Sequence, residues 1–80
     1  MPMPLTLQGT IVTNGKEKRL GGNLFELNLE GYQLFLLDVP VNVRKNEKSG
    51  EAGTAVVREL TFKNGKTTIV YDLESLHSVN

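Results

Sequence analysis

Hydrophobic positions recur with a period of two along most of the chain. Over residues 5–13, Leu5, Leu7 and Ile11 share one phase, while Thr6, Gln8 and Thr10 take the other. Over 23–29, Phe25, Leu27 and Leu29 alternate with Glu26 and Asn28. Over 37–44, Leu37, Val39, Val41 and Val43 alternate with Asp38, Pro40, Asn42 and Arg44. This is the pattern of strands with one face buried. No helical stripe exceeds one turn, although the terminal "LESLHSVN" could curl.

Turn chemistry divides the pattern into elements. Asn64-Gly65 lies between two strand-like runs, the strongest short-range hairpin signal. A two-residue type I′ turn there sets Lys63 opposite Lys66. It places Leu60 opposite Ile69, Arg58 opposite Tyr71 and Val56 opposite Leu73, so turn and apolar pattern agree on register. Glu30-Gly31 predicts a second tight turn. The strand that follows changes inward parity between Leu36 and Leu37, which predicts a bulge or sharp bend. Five strands result, near 5–13, 23–29, 32–44, 54–62 and 67–75. The predicted fold is all-β: one domain over 1–80, a small, strongly bent antiparallel barrel or roll of SH3-like or translation-factor-like type with meander connections. A mobile loop near 45–53 and a short tail at 76–80 complete it.

Proline cannot donate to a ladder, so Pro40 places Val39, Pro40 and Val41 at a candidate edge or bulge. Such an edge invites a partner strand, yet edge prolines more often protect against unwanted pairing. The adjoining "RKNEKSGEAG" reads as loop.

Composition narrows the function classes. Eighty residues, 39% hydrophobic and 22% charged, describe a soluble globular chain with room for one small core. Cysteine is absent, which excludes disulfides and thiol chemistry. Nine basic and nine acidic side chains cancel, so no overall field draws the chain to nucleic acid or membrane. The longest apolar run, Leu34-Phe35-Leu36-Leu37, is four residues, far below the ~20 of a membrane span. The opening "MPMPLTLQGT" lacks a basic region followed by a long apolar segment, so no secretion signal is expected and the expected location is cytoplasmic.

Catalytic constellations are sparse. His77 is the single histidine, flanked by Ser75 and Ser78 near the end of the chain, poorly placed for the rigid hold that a nucleophile–histidine–acid triad needs. Asp72 and Glu74, two apart on one strand, could do acid–base work only if one were desolvated; solvated charge is the simpler account. No cofactor or metal is expected. The basic residues are the one uneven distribution. Lys16, Lys18 and Arg19 fall in the first loop and Arg44, Lys45 and Lys48 in the middle loop, the candidate contacts for nucleic acid or a partner. Interleaved Glu17, Glu47 and Glu51 favour a merely solvated loop. Arg58 shares the apolar phase of Val56, Leu60 and Phe62. It is expected to cover the core with its stem and carry its guanidinium over Tyr71.

Three stretches, "MPLTLQGTIVTNGKEKRL", "NLFELNLEGYQLFLLDVPVNVRK" and "GTAVVRELTF", make the whole chain similar to the YtmB-like family of short uncharacterised Bacillus proteins. The resemblance implies a small β-rich bacterial cytosolic protein and supplies no catalytic or binding residues. The expected function is a non-enzymatic module that binds a protein partner or its own copy. An RNA- or ribosome-associated module is the alternative.

Overall fold

The computed structural model describes residues 6–46 and 51–76, and all regular structure within them is strand. The described residues form eight strands: β1 (Thr6–Gln8), β2 (Thr10–Val12), β3 (Lys18–Gly21), β4 (Leu24–Glu30), β5 (Gln33–Phe35), β6 (Pro40–Arg44), β7 (Glu51–Lys63) and β8 (Lys66–Leu76). They form a two-stranded sheet, β1-β5, and a six-stranded sheet in the order β2-β6-β7-β8-β4-β3. The all-β expectation holds. The five expected strands become eight because Gly9 divides the first, residues 36–39 divide the third, and Lys18–Gly21 pairs with β4 rather than looping.

The pairing is not a simple meander. β1 runs parallel to β5 and β2 parallel to β6, while all other ladders are antiparallel. The chain thus lays its first strand beside residues about thirty positions later. Parallel partners cannot be joined by a tight turn, so alternation alone could not show them.

The outer strands β2 and β3 are neighbours in sequence, and this forces the sheet to curl. Thr13–Lys16 is a tight turn in which the Lys16 amide donates to the Thr13 carbonyl at 2.9 Å. Asn14 and Gly15 there both have positive φ, 52° and 73°. Val12 and Lys18 are therefore separated by roughly 17 Å at most. The outer strands of a flat six-stranded sheet would stand about 24 Å apart. Only a strongly bent sheet satisfies the connection. Of the expected barrel or roll, a closed barrel is not formed: among the described residues no ladder joins β2 to β3, and the sheets stay open along that seam.

The curl wraps one apolar face around a single core of Ile11, Leu27, Phe35, Val41, Val43, Ala55, Val57, Ile69 and Tyr71, with Phe25, Leu29, Leu60 and Leu73 against it. Phe25 and Tyr71 stack at 5.7 Å between ring centroids. Thr67, fully buried, accepts the Gln33 amide and donates to the Gly31 carbonyl, each at 2.8 Å, fixing the entry to β5 on β8. The β7–β8 hairpin extends beyond this core, giving overall dimensions of 47 × 27 × 22 Å. At its tip the Gly65 amide donates to the Tyr32 hydroxyl at 3.0 Å, and Tyr32 meets the Phe62 ring edge-on.

The expected hairpin register holds from Lys63↔Lys66 to Leu60↔Ile69 and then slips. Glu59 pairs with Val70 and Val57 with Tyr71, which leaves Arg58 without a cross-strand partner. A second slip leaves Glu74 unpaired between Leu73 and Ser75. The first bulge exchanges faces, so Ala55 and Val57 join the core cluster, while Val56 is buried outside that cluster and Arg58 is exposed.

Candidate functional site

Two places depart from a plain rolled sheet, and both derive from the paired first and third strands. The first is an excursion. Between Gln8↔Phe35 and Thr10↔Asn42 the first strand advances by Gly9 alone, while its partner passes through residues 36–41. The longer side is thrown outward. Leu36 (54%), Leu37 (46%) and Val39 (37%) are left exposed, and Leu7 of β1 is 54% exposed as well.

The excursion is pinned rather than loose. Asp38 adopts φ 61°, and its amide donates to the Val57 carbonyl at 3.0 Å. The unpaired Arg58 then bridges two carboxylates: its Nη1 donates to Asp38 Oδ1 at 2.9 Å, its Nε to Asp72 Oδ2 at 3.2 Å. Hydrogen bonding to Asp38, then to Asp72, raises the Arg58 pKa above its ordinary value. The expected position over Tyr71 is corrected, because the bulge turns Arg58 out of the apolar face and toward these acids. The arginine at an apparently inward position was itself the sign of a register break.

Pro40 is the first residue of β6, opposite Val56, and β6 lies between β2 and β7 rather than at the outside of its sheet. At Pro40 and Val41, however, the described ladders lie on the β7 side alone. β2 reaches only as far as Asn42, with a further bond from the Asn42 amide to the Gly9 carbonyl at 3.3 Å. The proline thus interrupts no ladder bond, as a strand's first residue should. Val41 belongs to the core, and Val39 to the excursion.

The second departure lies in the open seam, where β2 faces the part of β4 that β3 does not cover: a cleft of about 440 Å³. Gln8, Thr10, Val12 and Lys16 line it on one side, and Leu27, Asn28, Leu29 and Glu30 on the other. The Gln33 side chain donates to the Glu30 carbonyl at 3.1 Å, closing one end.

The described basic candidates are spread over several elements. Lys16 borders the seam, while Lys18 and Arg19 lie exposed on β3, where Arg19 Nε donates to the Gly22 carbonyl at 2.7 Å. Backbone bonds from Thr13 to Arg44 and from Asn14 to Lys45 bring the first and middle loops together. Arg44 is half-buried, and its Nε has no hydrogen-bond partner among the described residues. Lys48 and His77 lie outside the described residues. Lys63 and Lys66 bracket the hairpin turn at the far end of β7, and Lys66 approaches Glu30 at 3.9 Å.

Among the described residues, Tyr71 has the largest displaced ionisation. Burial, with help from the nearby Glu17 carboxylate, pushes its pKa up to about 12. The phenol borders a recess of about 80 Å³ that also touches Thr13, Glu17 and Lys45. Asp72 is bound to Arg58, Glu74 is exposed, and neither lines the seam or this recess. Among the described residues, no three His, Asp or Glu side chains are grouped to hold a metal ion, and no helix is long and apolar enough to cross a membrane.

Known proteins share this architecture. The chain is 44% identical to the uncharacterized protein YtmB of Bacillus subtilis (strain 168) over 80 residues, the full length of both. The X-ray crystal structure of protein ytmB from Bacillus subtilis superposes with a TM-score of 0.92 at 44% identity, covering 100% of this chain and 99% of that one. A family model described as Domain of unknown function (DUF2584) matches residues 1–80, and with that full-length match the chain belongs to this family.

Proposed function

We propose that the chain is a non-enzymatic cytoplasmic module that docks on a protein partner or on its own copy. The carrying observation is the excursion at 36–41. Leu36, Leu37 and Val39 remain exposed while Asp38 between them is held by Val57 and Arg58. Apolar side chains that face water from an anchored backbone gain by burial, and the backbone has less freedom to lose on binding. The test is size-exclusion chromatography with light scattering, alongside affinity capture, on the wild type and a Leu36→Ser/Leu37→Ser variant. A dimer or a captured protein that the variant loses supports docking through the excursion. A monomer that captures nothing above background overturns it.

One observation favours a second reading, an RNA-associated module. The Thr13–Arg44 and Asn14–Lys45 bonds bring the backbone of the turn that carries Lys16 beside that of Arg44 and Lys45. Glu17 in the same turn opposes it. With two tyrosines and no tryptophan, the chain absorbs weakly near 280 nm, and co-purified nucleic acid would dominate its spectrum. A high short-wavelength ratio that vanishes as salt rises would place RNA first, since phosphate contacts release counterions.

A further inference from the structure

We propose that the open seam is an acceptor for a short extended segment of another protein, acidic at one end, which would pair with main-chain groups on both walls. The proposal takes its class of partner from the protein-binding reading but names a different surface.

The main-chain groups of a strand point alternately to its two sides. On β2, the Gly9 carbonyl and the Thr13 amide are bonded across to β6. Thr10 and Val12, of the opposite parity, therefore direct their amides and carbonyls into the seam. On β4, the Asn23 carbonyl accepts from Leu73 of β8 at 2.8 Å, which assigns odd-numbered residues to β8 and even-numbered ones to the other side. β3 serves that other side only as far as Lys18↔Glu26. Asn28 and Glu30 lie beyond it, and the Glu30 carbonyl is taken by Gln33. Thr10, Val12 and Asn28 thus present strand hydrogen-bonding groups to one shared cleft with no described strand to meet them.

The dimensions fit a strand. A strand residue occupies about 160 Å³, the product of its rise, the spacing between strands and the thickness of a layer. The cleft's 440 Å³ accordingly holds about three residues, which matches the length of β2 from Thr10 to Val12. Charge selects among occupants. Lys16 lines the cleft beside Thr13 and Asn14 of the turn, and Glu30 lines it from β4, so an acidic residue or a terminal carboxylate suits the part of the cleft beside Lys16. The other outer strand of this chain, β3, carries Lys18 and Arg19 and would meet Lys16 with like charge, which disfavours a second copy through that strand.

The probe is acetyl-Asp-Thr-Val-Thr-Val-amide, compared with the same peptide carrying lysine in place of aspartate, titrated into the full chain and followed by amide NMR and hydrogen exchange. The expected result is that the Thr10, Val12 and Asn28 amides shift and exchange at least fivefold more slowly. The aspartate peptide should bind several-fold tighter, by a margin that shrinks with salt. Val12→Pro should weaken binding at least tenfold. It removes an amide facing the seam, spares the β6 ladder, and asks of Ile11 only the extended backbone it already has. If that variant does not fold, wild-type amide protection decides alone. Absence of binding up to the solubility limit overturns the seam proposal, and equal affinity for the two peptides overturns its acidic partner. Shifts confined to residues 36–39 remove the seam while leaving the docking reading in place. Loss of the excursion's role in the Leu36→Ser/Leu37→Ser test would remove that reading without moving the seam amides.

Discussion

Single side chains carry the joints of this molecule. Thr67 satisfies the Gln33 amide and the Gly31 carbonyl from a fully buried position. Thr67→Val keeps the shape and strands both partners. It should cost about 2–3 kcal/mol in chemical denaturation, and a loss under about 0.5 kcal/mol would mean that water replaces the hydroxyl. Tyr71 makes stability depend on alkaline pH. An unfolded tyrosine releases its proton near pH 10, whereas the folded one holds it to about 12. The neutral phenol's contribution is complete below about pH 10 and is lost as pH rises through 12, by on the order of 2 kcal/mol. Tyr71→Phe should flatten this decline and remove the later step of the tyrosinate absorbance titration. An unchanged decline would assign it to other groups.

Between neighbouring elements, the bulge at Arg58 and the excursion act as one joint. The bulge frees the Val57 carbonyl and turns the guanidinium outward, and Asp38 takes both. These ion pairs are exposed, so solvent screens them and global stability should barely respond to Arg58→Met. Locally, the Asp38 amide should exchange faster in that variant, while amides of the β4–β8 ladder keep their rates. Equal rates at Asp38 would show that the backbone bond suffices. The same joint marks where alternation stops being informative. The hairpin turn and the division of the third strand were legible, because each rests on a local residue preference or a parity change, whereas Glu30-Gly31 marks a bend between β4 and β5, which do not pair. The faces of Val56 and Val57 were not, since two adjacent valines fit either parity and only the bulge decides. The positive-φ pair Asn14-Gly15 was an available signal for the turn that leads into β3. The parallel pairing left no trace, because it depends on contacts between residues far apart in sequence. The strand at Lys18–Gly21 was hidden for a related reason: residues next in number to the 13–17 turn leave it once β3 joins β4.

At the level of the whole molecule, a single core with no covalent staple is held by ladders between distant residues. β4 pairs with β8 some forty positions later, and the parallel ladders span about thirty. Such connectivity slows folding to the range of milliseconds to seconds. Stopped-flow mixing should resolve the main phase, and completion within microseconds would contradict this topology as the rate-limiting feature. The unequal pairing around Gly9 also separates chain length from register. Since one strand uses a single residue where its partner uses residues 36–41, extra residues between Leu36 and Leu37 would leave both ladders in place. Each doubling of the loop would cost only about 0.6 kcal/mol. An 8.8 kDa chain without cysteine therefore carries a natural graft position, where an epitope or sensor segment could be displayed on a scaffold indifferent to its length.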